Sequence, residues 1–510
     1  MLKRIAQAFI ALAFGQGLAV VTNILLVPLY LHVWSTVAYG EWLVMSAAVS
    51  YLSSLDLGMQ TYVVNRLTQA YATDRIEEYQ TYQHTALAFY VALASIGSVL
   101  VIALAWLAPI NQWLNITATD GTTVSLVVSL LGCQLLWSLP TSICFAVYRT
   151  TGDLAKAQWT DNFYRILTLC LTIGALALYP KMAVIVLAQL APFVLVNLFV
   201  LRNIRRRFPS LTPGLRKRRL SLLPGIIQPS LFFGLIILAM AIGLQGSTLL
   251  VANLLGATAV AIFVTSRTLT NVVKQVVSLL NVAMWPDLTR LEALADQRRL
   301  RLAFHLMVAL NTAGCVAVAA CLWFEGTDLM NIWTGGKLAP DQTLLRLMLA
   351  YLVLQSPWLS ASIFFLATNR HRGLSFSYLF ANVGGLILAA LLIPRFGILG
   401  VPIGLILAEI IACYHFVVRD ACHLVDESYP QYAVRLWSGM FVVIAAAGLA
   451  AWSVHQVDNI LLIMRWVLSG ASSTIVVGLA SWFLLLRRGE RAALRRRIGL
   501  GFQRVEKALS

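Results

Sequence analysis

Arg267 and Lys274 lie inside an apolar run from about Thr258 to Ala283, where composition alone would not put them. An ionised side chain at the centre of a bilayer costs roughly 2.5–3.5 kcal/mol even on insertion scales. A helix that keeps two of them exposes them to a wet cavity or to an anionic partner. Arg267, Asn271, Lys274 and Ser278 recur at i, i+4, i+7 and i+11, which makes one polar stripe on an otherwise apolar helix. The stripe reads as the wall of a cationic translocation path. Arg267 suits a phosphate because its planar fork can donate two parallel hydrogen bonds, and Lys274 is a compact point charge one layer nearer the cytoplasm. The competing reading is that each cation pairs with a structural acid or snorkels to a headgroup.

Gln16, Asn23, Gln245, Asn253 and Asn271 could bond sugar hydroxyls if they face such a path, or could bond neighbouring helices. Asp56 and Glu409 are the acids read as intramembrane, each either an ion-coupling group or a counter-ion to Arg267 or Lys274. Arg165 has polar company in Asp161, Asn162 and Tyr164 and joins the candidate substrate-binding set. Arg346 and Arg465 lie within about two turns of the ends of their apolar runs, where snorkelling suffices. The seven cysteines form no CxxC and read as free thiols, and no metal site or bound cofactor is expected.

These residues need apolar helices to hold them. Apolar residues make up 59% of the 510, mean hydropathy is +0.80, and only 12% are charged, which excludes a soluble globular protein. A β-barrel is excluded as well, because the apolar runs are about 20 residues long and continuous. Fourteen spans follow: 5–31, 40–65, 84–108, 122–147, 161–179, 182–201, 229–254, 258–283, 302–323, 342–367, 374–393, 398–418, 434–454 and 459–486. With both ends inside, Lys181, Lys337 and Arg395 are the only Lys or Arg in outside loops, as the positive-inside rule requires. Lys3 and Arg4 lead into a first helix that reads as retained, not as a signal peptide. The net charge of +17 thus belongs to the membrane, with anionic lipids as partners and no nucleic acid expected.

The halves repeat weakly. Asn111-Gln112-Trp113 recurs as Asn331-Ile332-Trp333, Thr150-Thr151-Gly152 has a counterpart in Thr368-Asn369-Arg370, and Tyr179-Pro180 matches Ile393-Pro394. An all-α polytopic membrane protein is therefore expected, with two pseudo-symmetric six-helix lobes at 1–201 and 229–418. Between them lies a basic cytoplasmic linker at 202–228, holding eight Lys or Arg within its first 18 residues. Two further helices at 434–486 and a basic amphipathic tail at 487–510 complete the plan.

The chain resembles the multidrug/oligosaccharidyl-lipid/polysaccharide exporter superfamily, and within it the Wzx-type polysaccharide and O-antigen flippases. The residues that carry the likeness are Tyr39-Gly40-Glu41-Trp42, Leu55-Asp56-Leu57-Gly58, Asn331-Ile332-Trp333-Thr334-Gly335 and Pro394-Arg395-Phe396-Gly397-Ile398-Leu399-Gly400. The resemblance covers spans one to twelve and implies two six-helix lobes in a V around a cationic cavity. It also implies outward movement of undecaprenyl-pyrophosphate-linked sugars across a bacterial inner membrane by alternating access, for exopolysaccharide or O-antigen assembly. A polymerase and other assembly proteins are the partners it implies. Span one offers Gln16 and Asn23 where the related lipid II flippases carry arginines, a departure that speaks against lipid II itself.

Two competing classes remain. A cation-coupled multidrug or toxin antiporter of the same superfamily would line its cavity with acids and aromatics, whereas Arg267 and Lys274 repel cations. A glycosyltransferase or polymerase would need a large loop or a soluble domain, and the loops are short. No Walker loop or HExxH pair is present, so a transporter and not an enzyme is expected, with a proton or sodium gradient as its energy source.

Overall fold

The computed structural model describes residues 2–294, 296–367, 372–457, 462–485 and 491. Its helices run, in order, α1 Leu2–Val33, α2 Thr36–Ser50, α3 Met59–Ala72, α4 Ile76–Leu107, α5 Ile110–Trp113, α6 Gly121–Thr150, α7 Leu154–Leu178, α8 Met182–Arg207 and α9 Leu223–Ala241. They continue with α10 Ser247–Leu255, α11 Ala257–Ala293, α12 Gln297–Trp333, α13 Gln342–Ala367, α14 Arg372–Phe396, α15 Gly400–Glu409, α16 Arg419–Leu424, α17 Tyr429–His455 and α18 Leu462–Leu484. Twelve stretches among the described residues are long and apolar enough to cross a membrane. One of them, Arg372–Leu424, holds two expected spans, and α11 occupies another, so each of the fourteen has its helix. The chain is a multi-pass, all-helical membrane protein. Large apolar side chains such as Ile96, Val99, Leu100 and Leu107 on α4 are more than half exposed, which only hydrocarbon makes tolerable in such number.

The described residues fall into two compact units. One comprises Met1–Leu269, Asn331–Ala339 and Tyr378–Gly404, and the other Thr270–Met330, Pro340–Ser377 and Leu405–Ser510. In the first, one core gathers Met59, Val63, Leu67, Tyr79, Tyr90 and Tyr148. Another gathers Tyr30, Leu31, Trp42, Met45, Ile185 and Ala261. In the second, Phe304 packs edge-on against Phe364 at 5.4 Å and tilted against Tyr432 at 5.2 Å.

Three spans expected to be plain helices are interrupted. Span two breaks after a 3-10 turn over Tyr51–Asp56, where Leu57 and Gly58 take φ of 52° and 70°. Gly58 is required twice over: its φ is left-handed, and a Cβ there would stand 2.6 Å from the backbone nitrogen of Gly234 on α9. Span seven passes through a π turn at Ile242–Gly246 and span twelve through another at Ile410–Val418. Neither interruption alters the hydropathy that locates a span. Asn331–Trp333 ends the long α12, while Asn111–Trp113 lies in the one-turn α5, so the repeated phrase occupies two settings.

Close crossings in the first unit fall at small residues. A Cβ at Gly400 or Gly404 of α15 would meet the backbone nitrogens of Ile393 or Ala389 on α14 at 2.6 or 2.5 Å. One at Gly40 of α2 would fall on the carbonyl oxygen of Ala257. Because the obstacle is backbone and cannot rotate away, Gly40→Ala is expected to destabilise by about 2–3 kcal/mol. A melting curve in detergent that matched the wild type would refute this crossing.

The basic linker is docked. Gln80 Nε2 donates to Ser210 O at 2.5 Å, Lys217 N donates to His84 Nδ1 at 3.1 Å, and Arg219 N donates to Thr85 Oγ1 at 2.9 Å, so residues from α4 grip its backbone. Its eight cations, from Arg202 to Arg219, are all exposed. The tail at 487–510 lies outside the described residues apart from Arg491, as does the Thr368-Asn369-Arg370 phrase.

Candidate functional site

Arg267, in the first unit, is half-buried on α11. Its Nη1 donates to Leu244 O at 2.7 Å and to Ser247 Oγ at 3.0 Å, and its Nη2 donates to Thr248 Oγ1 at 2.9 Å. The guanidinium also lies 5.1 Å above the ring of Phe263, one turn back. Leu244 belongs to the π turn of span seven, whose i+5 hydrogen bonding displaces carbonyls from the regular ladder. Two glycines let that turn sit close to α14: a Cβ at Gly243 would fall on Asn382 Oδ1, and one at Gly246 would stand 2.5 Å from Leu386 Cδ1. The three oxygens carry no net charge. They orient the fork.

Lys274, in the second unit, belongs to a different constellation. Its Nζ donates to Gln355 Oε1 at 3.0 Å, and Gln355 Nε2 donates to Glu409 Oε1 at 2.6 Å. Tyr351 Oη donates to the same oxygen at 2.5 Å, and Trp358 Nε1 donates to Glu409 Oε2 at 3.0 Å. Tyr351, Gln355 and Trp358 occur at i, i+4 and i+7 on α13, one face presenting three donors to one carboxylate. Glu409 is 6% exposed, and the π turn of span twelve begins at the next residue. Tyr414 Oη, within that turn, donates to Leu354 O at 2.6 Å and so ties it to α13. Of the two acids read as intramembrane, Glu409 is therefore joined to Lys274 through a single amide.

Asp56 is joined to neither cation. It sits at the break in span two, 8% exposed, and accepts from the fully buried Tyr90 Oη at 2.5 Å and from the backbone N–H groups of Gly58 and Gln60. A carboxylate just before the N-terminus of α3 faces the free N–H groups of that helix, where a negative charge is favoured. Arg165 pairs with Asp161 at 2.9 Å on its own helix, and both are well exposed. Gln16, Asn23 and Asn253 are exposed, while Gln245 and Asn271 are half-buried. The side chain of Ser278 lies outside those described. Among the sequence-predicted residues the structure thus brings together Lys274 and Glu409, and places Arg267 with Gln245's π turn.

Buried acids are also more numerous than the sequence suggested. Glu41 is fully buried and accepts three backbone N–H groups and one hydroxyl from residues 117–119. Glu325, 1% exposed at the end of α12, binds His455 Nδ1 and Arg465 Nε, each at 2.8 Å. Arg465 also reaches Asp328 Oδ2 at 2.8 Å, so it is ion-paired instead of simply snorkelling. Arg346 donates to Trp323 O at 3.2 Å and lies over its ring. The Tyr351-Gln355-Trp358 stripe was the one legible sign of Glu409's partners.

No protein-family model matches the chain, and no curated protein is similar to it. Solved structures are. The fold is similar to that of lipid II flippase MurJ in an inward closed conformation, with a TM-score of 0.70 and 11% identity over 94% of this chain and 99% of that one. It is also similar to a multidrug resistance MATE family transporter of the MOP superfamily in an inward-facing conformation, with a TM-score of 0.69 and 14% identity over 82% of this chain and 98% of that one. An outward-facing conformation of such a transporter gives a TM-score of 0.58 at 14% identity, over 82% of this chain and 95% of that one.

Proposed function

We propose that the chain is a flippase that carries a polyprenyl-pyrophosphate-linked oligosaccharide from the inner to the outer leaflet of a bacterial cytoplasmic membrane, with both termini inside. The observation that carries this reading is the setting of Arg267: a guanidinium in mid-span, held in one orientation by the oxygens of Leu244, Ser247 and Thr248. A polyprenyl tail can stay in hydrocarbon throughout, but a pyrophosphate and its sugars cannot enter it without fixed cations and hydrogen-bonding groups. Arg267 supplies a fork matched to phosphate, and Lys274 a second positive charge on the same helix. Alternating access between two six-helix lobes is the mode proposed, coupled to a proton or sodium gradient. Surface-polysaccharide polymerases are the proposed downstream partners.

The breadth of the fold match favours this reading as well. MurJ is matched over 94% of this chain and the MATE transporter over 82%, a difference about as long as two membrane helices. The second reading, a cation-coupled multidrug antiporter, draws on Glu409 and the aromatic donors around it. Purified protein in proteoliposomes separates the two. Transfer of a fluorescent undecaprenyl-pyrophosphate disaccharide to the opposite leaflet, with no uptake of ethidium under an imposed proton or sodium gradient, is the expected result. Gradient-driven ethidium movement without lipid transfer would replace the first reading with the second.

A further inference from the structure

The amide of Gln355 stands between two groups that need opposite things from it. Its Oε1 faces the Lys274 ammonium and its Nε2 faces the Glu409 carboxylate. The reverse orientation would set oxygen against a carboxylate and N–H against an ammonium, so ionised Glu409 fixes which way the amide points. A proton on Glu409 removes that constraint, because a carboxylic acid is itself a donor and seeks an acceptor.

We propose that Gln355 is a positioning residue that passes the protonation state of Glu409 to Lys274, so that proton uptake at Glu409 frees the lysine to bind the phosphate of the substrate. The inference rests on the function proposed above and concerns the same site. With Glu409 ionised, Lys274 spends a hydrogen bond on Gln355 Oε1. When Glu409 takes one proton from water, its new O–H bonds to an oxygen, the Gln355 amide reverses, and Oε1 turns from Lys274 to Glu409. Lys274 then faces an N–H group that repels it, and its ammonium turns to an anion. No other bond forms or breaks. Protonation also removes a negative charge beside the anion site, so both effects have one sign: proton and anion bind cooperatively.

Among the described residues, the titratable groups that could blur this relay lie on four elements. They are Lys274 itself on α11, Cys315 on α12, Tyr351 on α13, and Cys413 and Tyr414 in the π turn after Glu409. Tyr351 is the direct competitor, since its hydroxyl could rotate and accept the new proton.

The test uses the full-length protein in nanodiscs with farnesyl pyrophosphate as the probe. Wild type is expected to bind about tenfold more weakly at about pH 8.5 than at about pH 5.5, relative to Glu409→Gln, whose residual pH dependence is that of the probe's own phosphates. Glu409→Gln, which presents a permanent donor, should stay at the tight level. Gln355→Met should lose most of the response with Glu409 intact, and Tyr351→Phe should keep it. A full response in Gln355→Met, or none in wild type that still binds the probe, overturns the relay. Absence of binding at every pH overturns the proposed function instead. Infrared difference spectra of the ligand-free protein then read the relay alone: protonating Glu409 must shift a side-chain amide band that Gln355→Met lacks, and no such band overturns it.

Discussion

Arg267→Ala is expected to lower lipid-linked glycan transfer at least about 100-fold while leaving most of the protein folded. A charge-assisted hydrogen bond contributes roughly 1.5–3 kcal/mol, and a bidentate fork on pyrophosphate makes two of them, so losing the fork costs about 3 kcal/mol or more. The structural loss is smaller. Leu244 O, which accepts from Arg267, also accepts from Ser247 Oγ at 3.0 Å and Thr248 Oγ1 at 3.2 Å, so the π turn keeps its partners when the guanidinium goes. About 1 kcal/mol of stability is the expected change, within what a melting curve in detergent resolves. Arg267→Lys restores the charge but not the fork and should recover only part of the transfer rate, separating geometry from charge. Normal transfer by Arg267→Ala in proteoliposomes would remove Arg267 from the site. Loss of the folded protein would recast it as a structural clamp on span seven.

What could be read in advance follows from which forces leave a mark on residue order. Hydropathy is additive along a chain, so each of the fourteen expected spans has its helix, from α1 to α18. The π turns at Ile242–Gly246 and Ile410–Val418 left no such mark, because one extra residue in a turn changes neither length nor apolarity. Those turns nevertheless bring Leu244 to Arg267 and follow directly on Glu409. The polar stripe of α11 was legible as period, but period does not say what faces it. Arg267 donates to Leu244 O and Ser247 Oγ, whereas Lys274 donates to an amide already committed to an acid. Asp56 shows a related limit. An acid in an apolar run gives no sign of its partners, and here the break at Leu57-Gly58 sets it just before a helix N-terminus whose N–H groups it accepts.

Glu41 shows the same limit from the other side and leads to the largest stability effect expected outside the site. Six residues into α2, it was visible only as one letter of a family phrase, yet its oxygens accept Thr117 N at 2.7 Å, Ala118 N at 2.6 Å and Thr119 N at 2.8 Å, with Thr119 Oγ1 at 2.6 Å. Three successive N–H groups converge because Asn115 takes a left-handed φ of 53° and turns the loop back on itself. The loop is tied elsewhere by Asn115 Nδ2 to Ala252 O at 3.0 Å, so Glu41 fixes the connection between α5 and α6 to α2 while Asn115 fixes it to α10. Glu41→Ala removes the acceptor that these donors share. Leaving a buried N–H donor without its acceptor costs about 1–3 kcal/mol, and water reaches some of the three because Thr117 and Ala118 are exposed, so about 3 kcal/mol in all is expected. Set against a total stability of about 5–15 kcal/mol, that is enough to cut the yield of monodisperse protein several-fold. Glu41→Gln keeps one oxygen but turns an N–H toward a donor, and should fall between the two. A Glu41→Ala protein that elutes and melts like the wild type would mean that the loop holds its shape without the carboxylate.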